Sequence, residues 1–527
     1  MTETIKRALK DSAALRWLVL ILISFLTFGT YWFQDFYSGL KSLMESQLHF
    51  TSSDFGLLIS STTWLNLVGA IIVGGIIIDK WGIRISGIVF GGLATLGAFL
   101  NYLGASGVFS DDPSTQLSIM MAGRLMFGPG LEVVCVVAMR TIVKWFKGYE
   151  LALAMAINMG FGRLGSALGT ALSFDIAGGI NPVPSIGFAG TLILFGLLLF
   201  LIYTIFDIRL DKQLGDATNE GSEEEKFKFS DLAKLITNKS FLFIALLCVS
   251  FYAAIFPFMQ YAPDLLVNKF GFSYEMPANV ETFTLFGSQT FGNVAIYLGL
   301  FIFGLCFSLI PSNLKKMSAK LLSIAAVAIV FVLFLYGVRD TLNVWLHNGT
   351  KTASLIPLGT ILFTPIFGTI VDKKGKAASL MILGSLLLIF AHITLSVLNN
   401  VILGYIGLLS LGVAFSLVPA AMWPSVAKIV AESRLGTAYA TMFTIQNYGL
   451  ALFFYLIGKI LDVSNKANID AIRAGEMPYN YTVPILMLVF LGVISIFLAF
   501  QLKKADVKQG YGLELPSGAA APNGEEK

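Results

Sequence analysis

With 527 residues, 56% of them hydrophobic and only 13% charged, and a mean hydropathy of +0.77, this chain carries too few charges to cover a water-facing surface, since globular proteins have about a quarter of their residues charged. The net charge of +4 is what loops flanking membrane spans supply, and no nucleic-acid partner is expected from it. Cys135, Cys248 and Cys306 fall inside apolar runs with no CxxC spacing, so neither a disulfide framework nor a metal or other cofactor is expected.

In chain order, apolar runs long enough to cross a hydrocarbon core of ~30 Å predict helices at 16–35, 54–78, 85–106, 117–142, 149–173 and 186–207. The first leads directly from the N-terminus as a full-length span, and no cleavable signal peptide is expected. A polar stretch over 208–239 follows, with the acidic run Glu223, Glu224 and Glu225 and a short amphipathic piece bearing Phe229, Leu232 and Ile236; it reads as a cytoplasmic linker. Beyond it the spans continue at 241–262, 290–310, 319–338, 353–371, 378–398, 400–427, 436–461 and 481–502, fourteen in all. Lys and Arg concentrate in alternate loops, at Lys80 and Arg84, Lys144 and Lys147, and Lys373, Lys374 and Lys376. Because positive flanks stay cytoplasmic, both termini are expected on that side.

Between the second and third predicted helices stands Gly75-Ile-Ile-Ile-Asp79-Lys80-Trp81-Gly82-Ile83-Arg84, and the pattern recurs as Gly368-Thr-Ile-Val-Asp372-Lys373-Lys374-Gly375-Lys376. Gly75 and Gly368 are expected to let neighbouring helices approach closely, and Gly82 and Gly375 to take positive φ in a tight turn. Asp79 and Asp372 are expected to be held by helix termini and cations. Two copies at matching positions indicate duplicated halves.

On these loops, and on Gly123-Arg124 to Gly128-Pro129-Gly130, the chain resembles the major facilitator superfamily. The resemblance implies an all-α polytopic membrane fold in which two six-helix bundles rock about a central site. In it Gly75, Asp79, Lys80, Gly82, Arg84, Arg124, Gly368, Asp372, Lys373 and Gly375 would control conformation, Arg124 through helix packing. One feature departs from that pattern: four spans precede Asp372 where two precede Asp79. Residues 276–352 are therefore expected to form an inserted, lipid-facing helical hairpin, added to bundles at 1–207 and at 240–275 with 353–505, the rest being the 208–239 linker and a cytoplasmic tail at 506–527.

Two ionisable residues lie where none is expected. Glu132 and Arg163 fall near the middle of the fourth and fifth predicted helices, where a charge costs at least ~2.5–3.5 kcal/mol on insertion scales. They either pair with one another or line a cavity and meet opposite charges of a solute. Thr63-Trp64-Leu65-Asn66, Trp145-Phe146-Lys147-Gly148, Arg163-Leu164-Gly165-Ser166, Phe256-Pro257-Phe258, Trp423-Pro424 and Gln446-Asn447 are similar to one subgroup, the lysosomal dipeptide carriers called major facilitator superfamily domain-containing protein one. That similarity implies transport of a dipeptide or other small zwitterion, Glu132 reading the ammonium and Arg163 the carboxylate. Tyr31, Trp64, Asn158, Phe256, Trp423, Gln446 and Asn447 are the further candidates for substrate contact. An ExxER pattern, which marks the proton-coupled peptide transporters, is absent from the first helix. Facilitated diffusion and proton symport both stay open.

An organic anion or drug carrier of the same fold is the alternative, while a receptor or enzyme is disfavoured, because no metal cluster or nucleophile–base pair is apparent. The expected partners are a small-molecule or short-peptide substrate, the lipid bilayer and, under symport, protons. The expected setting is a monomer in a bacterial inner membrane.

Overall fold

The computed structural model describes residues 8–214, 234–277, 280–431 and 434–516. The acidic run, Phe229 and Leu232 of the linker and residues 517–527 of the terminal tail lie outside the described residues. The first half comprises α1 (Ala13–Asp35), α2 (Ser52–Ser61), α3 (Ala70–Ala105), α4 (Pro113–Phe146), α5 (Leu151–Ile176) and α6 (Val183–Leu214). After it come α7 (Lys239–Phe270), α8 (Gln289–Ser312), α9 (Met317–Gly337), α10 (Gly349–Lys374), α11 (Ala377–Ser396), α12 (Val401–Ile429), α13 (Leu435–Ser464) and α14 (Thr482–Gln509). Among the described residues, twelve helices are long and apolar enough to cross a membrane, α8 and α9 among them. The predicted count was fourteen; the two regions outside the twelve are the broken run around α2 and the helix α5.

Short polar side chains start these helices where the sequence changes from loop to apolar run. Asp112 accepts from Thr115 N at 2.9 Å at the head of α4, and Asn238, Asn348 and Asn400 do the same for α7, α10 and α12. Each cap satisfies amides that have no partner inside the helix. Pro129 sits inside α4, Pro257 and Pro263 inside α7, and Pro419 and Pro424 inside α12, as packed membrane helices tolerate.

The predicted helix over 54–78 is broken. Between α2 and α3 the chain makes only a short turn, Trp64–Leu67, and Gly69 has φ +89°. A residue in that left-handed conformation stops helical hydrogen bonding, and glycine adopts it without steric cost. The predicted turn at 79–84 is instead a bend within α3, where Gly82 has φ 75° and ψ 172°. Positive φ at Gly82, and at Gly375 with φ 68°, agrees with the expectation from the motif. Close approach at the other two motif glycines does not: a Cβ on Gly75 or Gly368 would meet nothing within 4 Å.

The two halves repeat one packing plan. In the first, α3 packs on α4, and α1 and α3 both pack on α6; in the second, α11 packs on α12, and α7 and α11 both pack on α14. Between the halves, α2 packs on α13 and α5 on α10. The α2–α13 approach depends on missing side chains. A Cβ on Gly458 would lie 2.0 Å from Ser52 O, and one on Gly56 2.8 Å from Phe454 O. The α8–α9 pair lies beside this frame, with α8 touching α5 of one half and α10 of the other. No residue of α9 is buried.

Candidate functional site

Among the described residues, two ion pairs join the halves on the side opposite the two motif loops, called here the far side. Lys41, just after α1, is fully buried and bonds Asp264 of α7 at 2.9 Å and Glu45 at 2.7 Å. Lys351 at the head of α10 meets Asp175 of α5 at 2.6 Å. Asp462 of α13 accepts from the amides of Ser52 and Ser53 at 3.2 and 2.7 Å. Buried pairs of this kind are costly to break one partner at a time, so they hold this side shut.

On the motif side each half ties itself together instead. Asp79 accepts from Arg140 of α4 at 2.6 Å. Arg84 meets Asp207 at 3.0 Å and Asp211 at 2.6 Å, both on α6, while Lys144 and the Trp145 indole also reach the buried Asp207, at 2.8 and 2.9 Å. Lys80 and Lys373 are exposed. In the second half the chain after α14 takes the bracing role: Lys376 N and Ala377 N donate to Glu514 O and Leu513 O, and Ser379 N donates to the Glu514 carboxylate at 2.9 Å. Arg124 is wholly buried, donates to Phe33 O at 3.0 Å, and lies among the rings of Phe33, Tyr37 and Phe127.

Glu132 on α4 and Arg163 on α5 are half-buried, and no ion pair joins them among the described residues. Arg163 instead lies over the ring of Phe415 on α12, 4.7 Å from its centroid, across the seam between the halves. The Tyr31 hydroxyl lies 3.9 Å from Cys135 Sγ. Phe415 belongs to an aromatic group in the second half. Phe256 meets it edge-on at 5.4 Å and stacks on Tyr252, whose hydroxyl accepts from the Trp423 indole at 3.0 Å.

Other candidates are occupied elsewhere. Asn158 donates to Ser24 Oγ at 3.0 Å and Thr27 Oγ1 at 3.3 Å, joining α5 to α1. The Trp64 indole donates to Ser60 Oγ at 3.0 Å. Gln446 accepts from Cys248 at 3.4 Å, and Asn447 receives Asn66 across the seam at 3.4 Å. A recess of about 710 Å³ lined by Glu45, His49, Asp264 and Tyr479 opens at the far-side network, apart from Glu132 and Arg163.

Sequence reasoning passed over Phe415 and Tyr252, which look like any aromatic residue in an apolar run, and Asp35, which ends the first predicted span. Asp35 is buried, accepts from Gln260 Nε2 of α7 at 2.8 Å, and receives Ser166 Oγ of α5.

The family model of the Major Facilitator Superfamily matches residues 20–356. The lysosomal dipeptide transporter MFSD1 of Homo sapiens is 28% identical over 464 residues, covering 85% of this chain and 80% of that protein. The Danio rerio protein of the same name is 26% identical over 461 residues, covering 85% and 81%. Among solved structures, a partially occluded inward-open xylose transporter XylE from E. coli is similar with a TM-score of 0.60 at 12% identity, covering 93% of this chain and 98% of that one. The nucleoside transporter NupG is similar with a TM-score of 0.55 at 15% identity, covering 93% and 98%. At these identities the two structures speak for the fold.

Proposed function

The chain belongs to the major facilitator superfamily, a multi-pass secondary transporter and not an enzyme, and we propose that its substrate is a dipeptide or other small zwitterion held between Glu132 and Arg163. The observation that carries this reading is that the two opposite charges sit half-buried on neighbouring helices with no ion pair between them. A charge left without a counter-ion in a membrane protein is costly, and a ligand carrying one ammonium and one carboxylate removes that cost at both ends. Arg163 grips the carboxylate as a planar fork, Glu132 accepts the ammonium, and the Phe256–Phe415–Tyr252–Trp423 group faces the intervening side chains. The relatives named as dipeptide transporters support the same reading.

In this reading the motif side is cytoplasmic, following the Lys and Arg bias, and a far side closed by ion pairs between the halves corresponds to an inward-facing state. The chain crosses a bacterial inner membrane fourteen times as a monomer: α2 with the first part of α3, and α5, add two crossings to the twelve. The α8–α9 pair is an addition to two six-helix bundles. The solute crosses by alternating exposure of one site as the halves rock, by facilitated diffusion or together with protons.

The test is ligand-induced thermal stabilisation of the purified protein with alanylalanine, its C-terminal amide and its N-acetyl form. Wild type is expected to be stabilised by the free dipeptide and much less by either blocked form. Equal stabilisation by all three would remove the assignment.

A further inference from the structure

We propose that the motif-side end of the second half carries a site for one anionic phospholipid, its phosphate held by lysines of α7 and α14. A recess of about 700 Å³ lies there between the two helices, within the ~300–1,000 Å³ range of ligand sites. Lys239 and Phe243 of α7 line it from one side, and Phe500, Lys503, Lys504 and Lys508 of α14 from the other. No acidic side chain lines it among the described residues.

Charge is the first part of the argument. Lys503 is already engaged, donating to Ser379 Oγ at 2.6 Å and lying 3.4 Å from the Glu514 carboxylate. Lys239, Lys504 and Lys508 are exposed, and among the described residues no carboxylate pairs with them. Lys504 and Lys508 stand one turn apart on α14, and like charges at that spacing repel. The dipole of α14 favours cations in its last turn, but Lys239 opens α7, where the dipole disfavours one. An anion placed between the two helices relieves both costs.

Position is the second part, and it selects an acylated anion over a soluble one. The walls are tied to each other: Ser240 Oγ donates to Gln509 at 2.5 Å, and Asn238 Nδ2 to the Tyr511 hydroxyl at 2.8 Å. Away from the lysines, exposed apolar side chains continue along both helices, Leu242 and Leu246 on α7 and Val493 and Phe497 on α14. On α14 the positions 493, 497, 500, 504 and 508 recur at helical spacing, so one stripe runs from side chains that suit acyl chains to ammonium groups that suit a phosphate. Basic recesses between membrane helices on this side take anionic headgroups for that reason. The general Lys and Arg bias asks only for cations somewhere on the motif side; it does not require two helices to converge them on an aromatic-walled recess. Both walls belong to the second half, so the lipid stays with that half as the halves rock and anchors it in the motif-side leaflet.

The experiment uses the full chain purified in detergent, with phosphatidylglycerol and phosphatidylcholine as probes and native mass spectrometry as the readout. Wild type should hold one phosphatidylglycerol at least about tenfold more tightly than phosphatidylcholine. The triple variant Lys239→Gln, Lys504→Gln, Lys508→Gln should reduce that preference to within about twofold. The double variant Lys315→Gln, Lys316→Gln, which removes charge at the α8–α9 turn, should keep it. A photoreactive phosphatidylglycerol should label wild type within 239–246 or 493–508, a measurement that depends on no variant folding. Excess inorganic phosphate or deacylated glycerophosphoglycerol should leave the lipid bound; displacement by either would make the ligand a soluble anion and overturn the lipid site. Equal retention of the two lipids by wild type, an undiminished preference in the triple variant, its loss in the double variant, or labelling confined to other segments would each overturn the proposal as well.

Discussion

At the scale of single residues, the seam sets the Arg163 guanidinium against aromatic rings of the opposite half, an arrangement in which shape matters as much as charge. Arg163 spans the seam by resting on Phe415, and a guanidinium can stack on a ring and grip a carboxylate in its own plane at once, which an ammonium cannot. Arg163→Lys is therefore expected to lose most of the alanylalanine affinity, close to the loss in Arg163→Ala. Removing either charged partner should cost ~2–5 kcal/mol of binding, because the ligand charge left behind is desolvated without compensation. Calorimetric titration of Arg163→Ala, Arg163→Lys and Glu132→Gln measures this, and wild-type affinity in Arg163→Lys would show that only net charge is read. Glu132 and Arg163 could be found from the sequence because a charge in an apolar span stands out against its surroundings. Phe415, Tyr252 and Asn158 could not be ranked that way: whether a ring or amide faces the seam or a neighbouring helix depends on helix rotation, which uniformly apolar spans leave unmarked.

At the scale of elements, the duplicated loops are braced by different parts of the chain. Asp207 and Asp211 at the end of α6 hold Arg84 and Lys144, whereas Glu514 beyond α14 caps the head of α11. The motif glycines announced the turns at Gly82 and Gly375, but nothing local identified these acidic partners, which come from 63 to 135 residues away. A side chain at Gly82 would be forced into positive φ, so Gly82→Val is expected to slow counterflow by roughly tenfold or more with little change in alanylalanine affinity. Equal loss of affinity and rate would mean that the loop shapes the site itself. The α8–α9 pair was legible as two hydrophobic spans, but its seat was not. Phe301 of α8 packs on Phe161 of α5, and Tyr297 bonds Ser354 of α10, so α8 touches both moving halves while α9 has no buried residue. Replacing residues 289–337 by a short polar linker keeps the orientation of later helices and is expected to leave a folded carrier with several-fold altered turnover. Turnover equal to wild type would make the pair peripheral, as the sequence reading expected.

At the scale of the whole molecule, the halves are joined on one side by buried polar bonds and by a backbone approach that only glycine permits. The polar bonds, Lys41 with Asp264 and Lys351 with Asp175, can exchange protein partners for water as the far side opens, so they tune the equilibrium between states without dictating it. The α2–α13 approach is different in kind. A Cβ at Gly458 would sit 2.0 Å from Ser52 O, and that obstacle is backbone, which cannot move aside by changing rotamer. Gly458→Val should therefore exclude the shut far side while sparing Glu132 and Arg163, which lie on other helices. Alanylalanine binding is expected to survive and transport to fall below detection, since a ligand cannot move a carrier confined to one of its two states. Thr350 reports the change: it is wholly buried and donates to Ala171 O across the seam at 3.2 Å. A Thr350→Cys probe, with the native cysteines replaced, should resist an impermeant maleimide in the otherwise wild-type background and react at least tenfold faster beside Gly458→Val. Unchanged labelling together with normal transport would mean that α2 and α13 separate by bending locally, and that rocking of rigid halves is not how this chain alternates.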